Sequence, residues 1–87
     1  MNKEQPYRTL DKWFSPIAVI HGIPYKLIPP DNPNGRVIIE HPISPELQKL
    51  LSDYPSNRIE VKALDYIEAC KRLHGEMRDL MRTARGR

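Results

Sequence analysis

All nine prolines of this 87-residue chain fall at or before Pro55, and residues 56–87 contain none. Proline fixes its own φ, lacks a donor N–H and disfavours helix in the residue before it. The first part of the chain must therefore be built from short elements, while the last third is free to form one long helix. Charge divides at nearly the same place. Residues 1–57 hold six Lys/Arg and six Asp/Glu, which cancel. Residues 58–87 hold eight basic and five acidic residues, the whole of the net +3. At 39% hydrophobic and 29% charged, the chain is globular rather than disordered. We expect one small domain over 1–87, with 1–57 a proline-punctuated strand region and short helix, and 58–87 a long basic helix and tail.

In the first part, Thr9 reads as an N-cap for one or two helical turns over TLDKWF, stopped by Pro16. The runs IAVI and IPYKLI flank His21-Gly22, where a glycine able to take positive φ predicts a tight hairpin. Pro29-Pro30 ends the second run, because proline cannot donate to a sheet ladder. The stretch DNPNG, with Asn34-Gly35, predicts a turn, and RVIIEH a third strand ended by Pro42. One glycine leading into a strand is not the strand, glycines and helix of a phosphate loop. Its prolines would suit a rigid recognition tip. Ser44, Pro45 and Glu46 supply the cap, first-turn proline and dipole-end acid of a helix over SPELQKLLSDYP, with Leu47, Leu50 and Leu51 on one face. The expected fold class is α+β: a small antiparallel β-meander of about three strands, then a short helix and a long C-terminal amphipathic helix.

In the second part, Asn57 and Glu60 have capping-box spacing and predict a helix from about Arg58 to about Thr83. The alternative is a fourth strand over RIEVKAL with the helix starting at Asp65. On a helix, Ala63, Tyr66, Ile67, Cys70, Leu73, His74, Met77, Leu80, Met81 and Ala84 share one broad apolar arc. Positions 63, 67, 70, 74, 77, 81 and 84 form a coiled-coil-like seam within it. Lys71, Arg78, Arg82 and Arg85 form a strip beside the arc, continued by the tail RTARGR. Glu68 and Arg72 are spaced for an i,i+4 ion pair. Gly75 interrupts the helix at about 1 kcal/mol relative to Ala. An arc this long exceeds what a small three-stranded sheet can cover.

The chemistry-bearing residues are few. Cys70 and His74 are i,i+4, and His21 and His41 are the remaining candidate ligands, but the paired short-range ligands of a zinc site are absent. We expect no metal and no cofactor. No serine or cysteine elbow, HExxH or glycine-rich phosphate loop occurs, so we expect no enzyme. One cysteine excludes an internal disulfide and fits a reducing compartment. No apolar run approaches 18 residues, and MNKEQPYRTLDKW has no apolar signal core, so we expect a cytoplasmic protein without a membrane partner.

The size, the lack of catalytic motifs and the lone α+β domain resemble the small accessory proteins of bacteriophages and mobile elements. That resemblance implies occluding or recruiting a larger machine. The leading expectation is a non-enzymatic inhibitor or regulator of a macromolecular protein partner. Leu73, Met77, Leu80 and Met81 would be its apolar anchors, and Lys71, Arg78, Arg82 and Arg85 its electrostatic contacts. A DNA- or RNA-binding regulator using the same cations is the alternative. A third reading is an oligomer, such as a homodimer paired through the C-terminal helix, that binds a small ligand or nucleotide.

Overall fold

A computed structural model describes residues 5–31 and 35–85, with side chains through Thr83. The elements in order are β1 (Tyr7–Thr9), α1 (Ser15–Ile20), β2 (Lys26–Ile28), β3 (Ile38–His41), α2 (Pro45–Asp53) and α3 (Ala63–Arg85). The fold is α+β, with three antiparallel strands in an open sheet, a short helix α2 and a long final helix. The strand order is β1-β3-β2, so β3 is central and the path differs from a sequential meander. Tyr7 pairs with His41, and Thr9 and Leu27 both lie opposite Ile39 from its two sides.

The first half departs from the sequence reading at two points. TLDKWF is not a helix. Thr9 closes β1 and accepts a hydrogen bond at Oγ1 from the Asp11 N–H, 2.9 Å away. Asp11 Oδ1 then accepts from the N–H groups of Trp13 and Phe14, at 2.9 and 3.0 Å. This side-chain turn delivers the chain into α1, where Pro16 sits in the first turn. A proline there loses no helical hydrogen bond and is pre-set in φ, so Pro16 starts a helix instead of stopping one.

The second departure is IAVI-HG, a helix end and not a hairpin. The Ile23 N–H donates to Ala18 O at 3.0 Å and the Gly22 N–H to Val19 O at 2.9 Å. Gly22 has φ +79°. This is the Schellman pairing, with glycine in the left-handed position, an apolar residue after it and proline next. Ala18 and Ile23 belong to the same buried cluster, which completes the motif. Helix propensity alone disfavours Ile and Val here, but burial of Ile17 and Ala18 outweighs it.

The helix α2 forms as the sequence predicts. Ser44 Oγ accepts from the Leu47 N–H at 3.1 Å, Pro45 and Glu46 occupy the first turn, and Leu47 and Leu50 are buried. Asn57 is not a cap. It takes φ +58° in the turn after α2, a conformation asparagine tolerates. Residues 58–62 are neither helix nor strand, so α3 begins at Ala63, between the two expected starts. Ile59 and Val61 in that connection pack on the core.

Phe14 is the hub of the interior, 1% exposed. Tyr7, His41 and Tyr54 meet its ring in edge-on geometry, at centroid distances of 6.4, 6.4 and 5.1 Å. Ile17, Ala18, Ile23, Leu47 and Leu50 surround it. His41 is buried on β3. Its Nδ1 donates to Pro24 O at 3.1 Å, and its Nε2 accepts from the Ser15 hydroxyl at 2.9 Å. A carbonyl can only accept, so the proton sits on Nδ1. Asn34 of the expected turn lies outside the described residues. Among the described residues, no helix is long and apolar enough to cross a membrane.

Candidate partner-binding surface

The helix α3 packs against α1 and buries Ala69 and Leu73. At about 100° per residue, the covered stripe runs along Tyr66, Ala69, Leu73 and Leu80. The predicted seam through Ile67, Cys70, His74, Met77 and Met81 is turned from it by about a quarter circle. The apolar arc is therefore wider than the interior can cover. Its uncovered side becomes a wall shared by two hollows.

The first hollow, about 630 Å³, lies between α3 (His74, Met77, Arg78, Met81), the segment after β1 (Leu10, Lys12) and the approach to β3 (Gly35, Arg36, Val37). The second, about 350 Å³, is lined by Trp13, Tyr66, Ile67, Cys70, Lys71, His74 and Arg78. His74 and Arg78 line both, so the two adjoin. Two side chains of α3 hold the opposite wall in place. Tyr66 donates its hydroxyl to Trp13 O at 2.8 Å, and His74 Nε2 donates to Lys12 O at 2.8 Å. Burial, with Cys70 beside it, pushes the Tyr66 phenol up to about 12, so it remains a donor. With Phe14 turned inward, Trp13 points out and is 53% exposed. Its ring meets His74 edge-on at 5.1 Å and carries Lys12 Nζ at 5.5 Å.

The electrostatics are one-sided. Among the described residues, no Asp or Glu lines either hollow. Four other cations are paired: Arg8 with Glu40 and Lys49 with Asp53 at 3.0 Å, Arg82 with Asp79 at 3.2 Å, and Arg72 with Glu76 at 3.6 Å, while Lys26, Arg58 and Lys62 stand away from the hollows in no ion pair among the described residues. Arg72 thus turns to Glu76 and not to Glu68. Among the described residues, no ion pair holds Lys12, Arg36, Lys71 or Arg78. The Arg78 guanidinium lies back over Gly75, whose added Cβ would stand 3.9 Å from it.

Of the residues singled out in the sequence, Lys71, Met77, Arg78 and Met81 line these hollows. Leu73 does not: at 1% exposed it faces the interior, so it cannot anchor a partner. Leu80 is half-buried and Arg82 is exposed, and neither lines a hollow. The Arg85 side chain lies outside the described residues. Sequence reasoning missed Leu10, Lys12, Trp13, Arg36 and Val37. It took the charges of residues 1–57 as cancelling, yet Lys12 and Arg36 are drawn to the α3 wall without their acidic counterparts.

The candidate metal ligands do not converge. Each imidazole spends one ring N–H on a main-chain carbonyl of its own: His21 on Ile17, His41 on Pro24 and His74 on Lys12. Among the described residues, no group of three His, Cys, Asp or Glu side chains gathers to hold a metal. Ser15 and His41 have the spacing of a nucleophile and its base. Both are 0% exposed, so no substrate reaches that pair.

No family model matches the chain, and comparison with curated proteins and with solved structures gave no match either.

Proposed function

We propose that the protein is a non-enzymatic binding protein that inhibits or regulates a macromolecular protein partner docked on the exposed flank of α3. The observation that supports this reading is that Lys12, Arg36, Lys71 and Arg78, held in no ion pair among the described residues, line the hollows beside uncovered apolar side chains. Apolar burial supplies affinity, and the cations set orientation and association rate. Trp13, 53% exposed, is of the type expected for an anchor, and Ile67, 45% exposed, lines the same hollow.

The test is a pull-down from cell lysate on the tagged full chain, with and without nuclease, followed by mass spectrometry. Wild type should keep one stoichiometric protein after nuclease. Lys71→Glu/Arg78→Glu should lose it while melting unchanged. A double variant that keeps its partner overturns the reading.

A second reading, nucleic-acid binding, draws on the same cations and on the exposed Trp13 ring. It expects every partner to be lost after nuclease. It also expects DNA or RNA affinity to fall by roughly tenfold or more between 50 and 200 mM salt, as several phosphate contacts require.

A further inference from the structure

We infer that the two adjoining hollows form one channel for an acidic amphipathic segment of a protein partner, with its carboxylates on Lys12, Arg36, Lys71 and Arg78 and its apolar side chains between them. This rests on the protein-binding reading above and names the chemistry of the partner. The wall from Ile67 to Met81 runs about 21 Å along α3, at ~1.5 Å per residue. That length matches about four turns of a docked helix or about six residues of extended chain.

The floor and rim select the occupant differently. Leu10, Val37, Met77 and Met81 make an aliphatic floor in the first hollow. Methionine adapts its shape, which suits side chains of varied outline. The rim is cationic, and among the described residues no carboxylate lines it. An occupant must therefore carry negative charge and aliphatic or aromatic anchors together. Polynucleotides supply the charge, but their bases seek aromatic platforms. Among the described residues, Trp13 is the one aromatic ring among the exposed large apolar side chains, with Lys12 already over it, and Tyr66 in the second hollow is half-buried with its hydroxyl committed to Trp13 O. A nucleic acid would leave the aliphatic floor uncovered. A segment alternating Asp or Glu with Leu, Ile or Phe fills both parts, in the helix-in-groove or extended manner.

The experiment selects a displayed library of random 16-residue peptides on the full-length protein, in parallel on Lys71→Glu/Arg78→Glu. Wild type should enrich peptides with net negative charge and apolar residues at helical or alternating spacing. The charge-reversed protein should not enrich them. A synthetic peptide of the winning sequence should bind wild type at least tenfold more tightly than it binds Lys12→Glu/Arg36→Glu or Met77→Ser/Met81→Ser, both checked for unchanged melting. Overturning results are no enrichment, winners without acidic bias, equal enrichment on the charge-reversed protein, or tighter binding of a 16-nucleotide oligothymidylate than of the winning peptide. These outcomes separate from failure of the broader reading. Should the pull-down still yield a nuclease-resistant partner that Lys71→Glu/Arg78→Glu loses, protein binding stands and only the acidic-segment inference falls.

Discussion

Ser15 donates its hydroxyl proton to His41 Nε2 across 2.9 Å, in a space sealed from solvent between α1 and β3. Burial holds the His41 imidazole below its ordinary value near 6.5, and the main-chain bond to Pro24 offsets part of that shift. The native state therefore keeps His41 neutral at a pH where the unfolded chain protonates it. Its contribution to stability is complete above about 6.5 and declines as pH falls from there toward the lower folded value. Melting temperature should drop between pH 7 and pH 5. His41→Gln should start less stable and show a shallower drop. Equal slopes in the two proteins would assign the pH dependence to other groups.

Gly22 and Gly75 should respond oppositely to alanine. Gly22 sits at φ +79° with nothing within 4 Å of an added Cβ, so only backbone strain resists the change. Gly22→Ala should cost about 1–2 kcal/mol, the left-handed penalty of an L residue. Gly75 lies inside α3, and an added Cβ would meet only the Arg78 side chain at 3.9 Å. Gly75→Ala should stabilise by about 1 kcal/mol. Urea denaturation of both variants checks the pair of signs.

Ser44→Ala removes the one side-chain acceptor at the start of α2. The expected cost is about 1 kcal/mol, seen as a fall in Tm of about 4–8 °C for a domain of this size. Thermal melting followed by circular dichroism measures it. A fall below about 1 °C would mean that Pro45 and the packing of Leu47 and Leu50 define that helix start without the cap.

Two apolar positions on α3 should separate folding from binding. Leu73→Ala empties a site that is 1% exposed and should destabilise by about 2–5 kcal/mol. Met81→Ser touches the half-buried wall of the first hollow and should change stability by no more than about 1 kcal/mol. The check is chemical denaturation beside partner capture. Met81→Ser should lower capture and Leu73→Ala should lower the amount of folded protein.

How much of this was legible in the sequence varies with the kind of signal. Ser44-Pro45-Glu46 states a helix start in purely local terms, and it forms as read. The long final helix follows from the absence of proline after Pro55. HGIP was misread because Gly22 serves a hairpin or a helix end equally well. What separates them is Ile23, an apolar residue placed to fold back on Ala18, followed by Pro24. Pro16 was misread for a related reason: proline both stops helices and starts them, and the Asp11 turn decides which. The rotation of α3 was not legible, because its arc is apolar over more than half a turn and tertiary packing, chiefly on α1 and on the Lys12-Trp13 segment, determines which part is covered. The cationic wall was half legible. Lys71 and Arg78 lie on the helix strip, whereas Lys12 and Arg36 join them only through tertiary contact.

Among the described residues, the order β1-β3-β2 leaves both outer strands with a free edge, and each is only three residues long. Pro6 precedes one, while Pro24 and Pro29 stand on either side of the other. A row of open N–H and C=O groups invites strand addition from neighbouring molecules, and short edges bounded by proline are poor templates for it. The residues that divide this chain into small elements thus also guard it against edge-to-edge aggregation. A concentrated solution should cluster, when it does, through the uncovered flank of α3 and not by growth of the sheet.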